Sequence, residues 1–167
     1  RFFLSIFIII SILVPQSLNS HIAKAASFPA VPQALSLTPE VVDPNTGQAS
    51  LNSIVVDQEG IPHIAYFDPI DGSPIFQGLM YATKYMDTWY REEVDENGGS
   101  TPSIALDSAG IVHIAYYDQT NGDLRYATPL EPDGWDIQTI DSVGNVGASP
   151  SLVFDPGDQP HIAYLDL

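Results

Sequence analysis

Across residues 52–167 the apolar positions fall into short runs of Ile, Val, Tyr and Ala, each broken by clusters of Gly, Asp, Asn and Pro. Runs this short between such breaks predict β-strands and tight turns. The runs also recur. His-Ile-Ala-Tyr begins at His63, His113 and His161, with spacings of 50 and 48 residues (113 − 63 and 161 − 113). A period of that size predicts a protein made by stacking copies of one supersecondary unit. The strand that follows each histidine does not alternate between apolar and polar, so it is expected to be covered on both faces, as face-to-face stacking of sheets would do. Ala65, Ala115 and Ala163 stand at the same place in each copy, where neighbouring sheets would approach closely.

Each complete copy reads as a four-stranded antiparallel meander. Asp57-Gln-Glu-Gly60 and Asp107-Ser-Ala-Gly110 put Asp first and Gly fourth, the arrangement of a type I turn. Asp155-Pro-Gly-Asp158 places Pro and Gly centrally, which predicts type II instead. Asp71-Gly72 and Asn121-Gly122 mark the second hairpin of each copy. Tyr81-Ala-Thr83 and Tyr126-Ala-Thr128 mark the third strand, and Trp89 and Trp135 the fourth. Four-stranded sheets of this size, repeated radially, predict an all-β fold, a β-propeller of antiparallel blades.

The order of units follows from that period: repeat 1 over 53–102, repeat 2 over 103–150 and part of a third over 151–167. Residues 37–43 resemble a lone fourth strand, because Asp43 precedes Ser53 by the same interval as Asp141 precedes Ser151. Such a strand would close the ring against the last blade. Arg1 at the start, and a third copy that stops after its second strand, read as a piece of a longer chain whose remaining blades complete the propeller.

The full repeat, S-[IL]-[AV]-x-D-x-x-G-x-x-H-I-A-Y-x-D…Y-A-T…W, resembles the blades of secreted bacterial and archaeal β-propeller proteins, and more loosely NHL-type blades. That resemblance implies the fold and export and carries no agreed activity. The sialidase box Ser-x-Asp-x-Gly-x-Thr-Trp is absent from the chain.

Export also reads from the N-terminus. Residues 2–14 form an apolar run shorter than the ~20 residues that span a bilayer. A polar stretch follows, ending Ala23-Lys-Ala25, so 1–25 is expected to be a signal peptide, with a retained anchor as the alternative. Residues 26–36, rich in Pro and Ala, read as a linker. Destination outside the cell, secreted or at the surface, is the expectation. The chain has no cysteine, so no disulfide or thiol chemistry is available to it.

The formal net charge is −16, from 21 acidic and 5 basic residues. A field of that sign excludes nucleic acid and anionic membrane as expected partners. Many of the acids recur at turn positions, so the charge is spread over the repeat instead of being focused on a site.

Candidate chemistry divides into residues the copies share and residues they do not. A catalytic centre needs one constellation, whereas His63, His113 and His161 recur in every copy. They are read as scaffold, each imidazole tied to a turn carboxylate or nearby backbone, with a per-blade ligand pocket as the alternative. Trp89 and Trp135 are read as packing between blades. Asp68, Asp71, Asp118 and Asp123 offer the hard oxygen ligands that calcium uses, without an EF-hand spacing; no other cofactor is expected. Among unshared residues, Phe76, Tyr85, Tyr90 and Arg91 sit in or beside the longer hairpin of repeat 1 and form a candidate platform for a carbohydrate or protein ligand, set against a merely local edge cluster. The leading expectation is a non-catalytic binding module. The alternatives are a propeller-type glycoside hydrolase or lyase, and a structural spacer. No Ser-His-Asp grouping, zinc motif or phosphate loop is recognisable.

Overall fold

The computed structural model describes residues 38–44, 49–69, 77–96 and 98–167. The chain divides into two units, 6–42 and a second that holds 43–167. Of the first, only 38–42 is described, and it is neither helix nor strand. Residues 38–43 are thus not the fourth strand that the spacing predicts, and Leu37 lies outside the described residues, as do the signal and linker segments, Asp71, Gly72 and Phe76.

The unit holding 43–167 is built of antiparallel sheets, with no helix among the described residues. Strands β1 (Ser50–Val56), β2 (Pro62–Pro69), β3 (Gln77–Tyr85) and β4 (Thr88–Asp95) form one meander in that order. Strands β5 (Ser100–Leu106), β6 (Val112–Asp118), β7 (Asp123–Pro129) and β8 (Trp135–Asp141) repeat it, and β9 (Val146–Phe154) pairs with β10 (Pro160–Asp166). The sheets stack through their first strands: β5 lies beside β1, and β9 beside β5.

Two-sided coverage of the second strand follows from this stacking. In β6 the run Ile114-Ala-Tyr116 is fully buried. Alternate side chains leave opposite faces of a strand, so Ile114 and Tyr116 face the first sheet while Ala115, between them, faces the side of β9. The main core lies between the first two sheets, where Ala65, Leu79 and Tyr81 meet Ile114, Tyr116 and Ala127.

The first connection of every repeat has one design. Asp57 and Asp107 close it with the backbone bond from the fourth residue, Gly60 N–H to Asp57 O at 3.2 Å and Gly110 N–H to Asp107 O at 3.0 Å. The glycines are left-handed, φ +84° and +80°. The third connection is not type II. Gly157 is not left-handed, and Asp158 takes the left-handed place with φ +58°. The proline and glycine thus occupy ordinary positions, and an aspartate tolerates the conformation that glycine serves in the other two copies. What it gains is a tie to the neighbouring turn, since Asp158 Oδ1 accepts from the Ser108 N–H at 2.9 Å.

Between sheets the chain passes over the preceding third strand so closely that a side chain has no room. A Cβ at Gly99 would lie 2.4 Å from Leu79 Cβ, and one at Gly147 would lie 2.6 Å from Leu124 Cα. Just beyond, Leu51, Thr101 and Ser149 are left-handed at equivalent positions, φ +52°, +48° and +49°. Each marks a bulge where the first strand bends into its sheet.

Candidate functional site

The residues that every repeat shares bond within each repeat or from one repeat to the next. Each histidine faces the carboxylate of its own first turn: His63 Nε2 to Asp57 Oδ2 at 3.4 Å, His113 to Asp107 at 3.5 Å, His161 to Asp155 at 3.3 Å. Asp57 and Asp107 also receive turn N–H groups, from Ile61 at 2.7 Å and from Ile111 at 2.8 Å. Desolvation opposes ionisation at both, but the turn N–H groups and then the imidazoles outweigh it and hold the carboxyls below their ordinary range. At His63 a carboxylate, which only accepts, faces Nε2, and with the proton there Nδ1 is left to accept from a tyrosine hydroxyl. That hydroxyl is Tyr81 for His63 and Tyr126 for His113, the latter at 2.7 Å. Burial pushes the Tyr81 phenol up to about 12.

At the other end of the second strand a tyrosine reaches back to the previous repeat. Tyr66 donates to Asp43 at 2.9 Å, Tyr116 to Asp95 at 2.8 Å and Tyr164 to Asp141 at 2.7 Å. Burial first, and then the facing carboxylate, raises the Tyr66 and Tyr116 phenols far above their usual value. Asp43 thus takes the place that Asp95 and Asp141 hold in the later repeats, although residues 38–42 form no strand.

Two of these carboxylates also hold an arginine, and the two arginines are not equivalent in sequence. Arg91 reaches Asp43 from a fourth strand. Arg125 reaches Asp95 at 3.0 Å and Asp118 at 2.8 Å from a third strand. Arg91, one of the candidate platform residues, thus has Asp43 as a partner.

Of the candidate calcium ligands Asp68, Asp118 and Asp123 are described, and Asp71 lies outside the described residues. No group of three or more His, Cys, Asp or Glu side chains converges among the described residues. Asp118 is buried with both oxygens engaged: Oδ1 accepts from the Thr120 N–H at 2.9 Å, and Oδ2 meets Asn121 Nδ2 and Arg125. Asp123 starts the partner strand opposite Asp118. The expected Asn121-Gly122 hairpin is present, but it has four loop residues, because the Asp118 carboxylate organises it.

Trp135 packs edge-on against Tyr81 of the neighbouring sheet, with centroids 5.3 Å apart. Trp89, its counterpart, instead lies under the Lys84 ammonium at 6.0 Å. The difference belongs to the β3–β4 hairpin. Its loop is two residues long, Met86 and Asp87, both left-handed at φ +47° and +63°. Such a turn normally takes Asn-Gly. Repeat 2 spans the same gap with the longer 130–134 loop. The hairpin end displays Met86 at 80% exposure, with Tyr85 at 56% and Tyr90 at 55%. The two tyrosine rings stand edge to face, 6.2 Å between centroids. Lys84 pairs with Asp87 across the turn at 3.4 Å.

The sequence singles out Tyr85 and Tyr90 but not Met86 and Lys84, which stand beside them. The signal for them was a hairpin gap with no Gly, Asn or Pro in it. A second concavity, an open cleft of about 670 Å³, lies along the ends of β1, β5 and β9 and the first turns.

No protein-family model matches this chain, and no curated protein matches it. Among solved structures it is similar to a fucose lectin from Kordia zhangzhouensis, solved in complex with methyl-fucoside, at 20% identity over 68% of this chain and 81% of that one, with a TM-score of 0.45. That score is too low to transfer a site, so the chain's own residues have to carry the functional reading.

Proposed function

We propose that this chain is part of an exported β-propeller, of the secreted repeat type its sequence resembles, and that it acts as a non-catalytic binding module for a carbohydrate ligand. The three sheets serve as successive blades, with β1, β5 and β9 as the strands nearest the axis. The recurrent Tyr–Asp pairs, with the two arginines, serve as the fastening between blades, and the Asp–His pairs brace each blade from within.

The observation that carries the binding reading is the β3–β4 hairpin end. It holds two half-exposed tyrosines at a fixed angle beside a left-handed, non-glycine turn. Left-handed backbone costs about 1–2 kcal/mol at a residue such as Met86. Strain of this kind is retained where the surroundings enforce it, and it concentrates at ligand contacts. A tyrosine face offers the apolar side of a sugar ring a flat surface, and its hydroxyl offers a hydrogen bond.

A glycan array probed with the intact 167-residue chain tests the reading. Binding to a defined glycan class that falls about tenfold in Tyr90→Ala supports it, each lost aromatic contact being worth about 0.5–1.5 kcal/mol. An array without a hit, or a hit indifferent to both Tyr85→Ala and Tyr90→Ala, refutes it.

A further inference from the structure

Successive side chains of a strand leave opposite faces of its sheet, and residues paired across two strands share a face. The register of β3 and β4 therefore sorts their hairpin into two unlike faces. Tyr81 with Glu92, Thr83 with Tyr90 and Tyr85 with Thr88 lie on the face turned to the second sheet, where Trp135 meets Tyr81. Lys84 with Trp89 and Ala82 with Arg91 lie on the other. Both cations of repeat 1 are thus kept off the face that carries the exposed tyrosines. Each is also engaged, Lys84 by Asp87 and Arg91 by Asp43. Arg125, the remaining lysine or arginine of the described residues, is held by Asp95 and Asp118.

What the tyrosine face has instead is acid. Glu92 follows Tyr90 by two residues on the same strand and face, a rise of about 7 Å. Asp133, from the 130–134 loop of the next repeat, bears on Glu92 across the junction. The Trp135 indole N–H lies toward Glu92 as well, its nitrogen buried and without a completed hydrogen bond. Burial raises the Glu92 carboxyl above its ordinary range; the Trp135 N–H offsets part of that, and the charge of Asp133 adds to it. No lysine or arginine reaches Glu92 or Asp133 among the described residues. Two carboxylates that repel each other, beside an open aromatic surface, suit a cation carried on a sugar. An ammonium is drawn to both carboxylates and, within about 6 Å of a ring centre, to the face of a tyrosine. A uronic acid or a sulfated sugar meets repulsion from the same groups.

We propose that the carbohydrate taken by the β3–β4 hairpin end is one with free amino groups, an oligomer of unacetylated hexosamine. Its sugar rings rest on Tyr90 and Tyr85, and a protonated amine lies between Glu92 and Asp133. This rests on the carbohydrate reading and narrows it to a cationic glycan.

The test titrates the intact chain calorimetrically with a β-1,4-linked glucosamine hexamer, its fully N-acetylated counterpart and a glucose hexamer. The glucosamine hexamer should bind at least tenfold more tightly than the other two. Glu92→Gln should cost about tenfold of that affinity and bring the three ligands level, and Asp133→Asn should act in the same direction. Both residues are exposed, so the variants should melt with the parent by circular dichroism. Asp166→Asn, the same loss of charge in the third sheet, should leave affinity within about twofold. Equal losses in Glu92→Gln and Asp166→Asn would reduce the effect to net charge and overturn the proposal. So would an oligolysine peptide that binds as tightly as the glucosamine hexamer with the same dependence on Glu92. Tyr90-dependent binding of neutral or acidic oligosaccharides with no gain from amines overturns the proposal and leaves the carbohydrate reading standing. No binding to any hexamer, together with an array without a hit, removes both.

Discussion

Replacing Tyr116 by phenylalanine removes one oxygen from the junction between two sheets and nothing else. The lost bond runs from a fully buried phenol to Asp95 at 2.8 Å, and Asp95 keeps Arg125 at 3.0 Å. Phenylalanine fills the same space, so no cavity term enters. A buried hydrogen bond to a charged acceptor contributes about 1.5–3 kcal/mol. The retained arginine spares Asp95 full desolvation, which points to about 2 kcal/mol. For a chain of this size that lowers the melting temperature by about 4–8 °C. The repeat supplies its own control: Tyr164 makes the same bond to Asp141 at 2.7 Å in a solvent-exposed setting. Tyr164→Phe should therefore shift melting far less, because water replaces what the hydroxyl gave. Differential scanning calorimetry of the two variants beside the unaltered chain reads both values. Equal losses, or a Tyr116→Phe variant that melts with the parent, would refute the claim that burial at the junction gives this bond its worth.

Glycine substitutions should separate crowding from backbone conformation. Gly147→Ala drives a Cβ to 2.6 Å from Leu124 Cα and should cost about 3 kcal/mol or more, whereas Gly110→Ala meets nothing within 4 Å and should cost only the left-handed penalty of about 1–2 kcal/mol, both read from urea melts. Replacing Met86-Asp87 by Asn-Gly should raise stability by about 1 kcal/mol and weaken any glycan bound on the array; a gain in both would contradict the strained turn as a binding element. The depressed turn carboxylates Asp57, Asp107 and Asp155 give stability that is complete above their unfolded value near 3.8 and is lost as pH falls through their lower folded values. Melting temperature should accordingly drop below about pH 4, and less steeply in Asp107→Asn. Tyr66, Tyr81 and Tyr116 have raised values, so their contribution is complete below the ordinary phenol value of 10.0 and is lost as pH climbs above it. The share of tyrosinate absorbance that belongs to these three phenols should appear together with the loss of β-sheet signal, not before it.

The meander, its strand limits and the buried second strand were legible because they depend on local signals that the period repeats. A glycine after Asp-x-x, a hydrophobic run without alternation and a tryptophan at a fixed offset each state a backbone requirement. What joins one repeat to the next was not legible. Arg91 and Arg125 perform the same service from different strands, so no alignment of the copies pairs them, and Arg91 reads as peculiar when it is shared in role. Asp155-Pro-Gly-Asp158 has a type II composition, yet its backbone follows the other two copies because Asp158 is held by Ser108 across the junction. The tertiary bond overrides the local preference. The Tyr85–Tyr90 pair was within reach of sequence because both lie on one hairpin. Met86 was not, since its importance lies in a conformation that its side chain disfavours.

Four of the hydrogen bonds that cross from one sheet to the next run from a backbone N–H to a side chain: Ile104 to Ser53, Ser149 to Thr101, Leu152 to Ser103 and Ser108 to Asp158. Each spans 48 to 51 residues. In the two serine latches the earlier sheet accepts and the later one donates, so each sheet arrives at a neighbour already holding out its acceptor. Because loop-closure entropy grows only slowly with length, every junction forms against nearly the same cost. Cooperativity in such a stack is transmitted from neighbour to neighbour, with no single centre on which the whole depends. A damaged junction should loosen the two sheets that share it while the next keeps its own protection against hydrogen exchange, so that the molecule comes apart as a chain of links does, one coupling at a time.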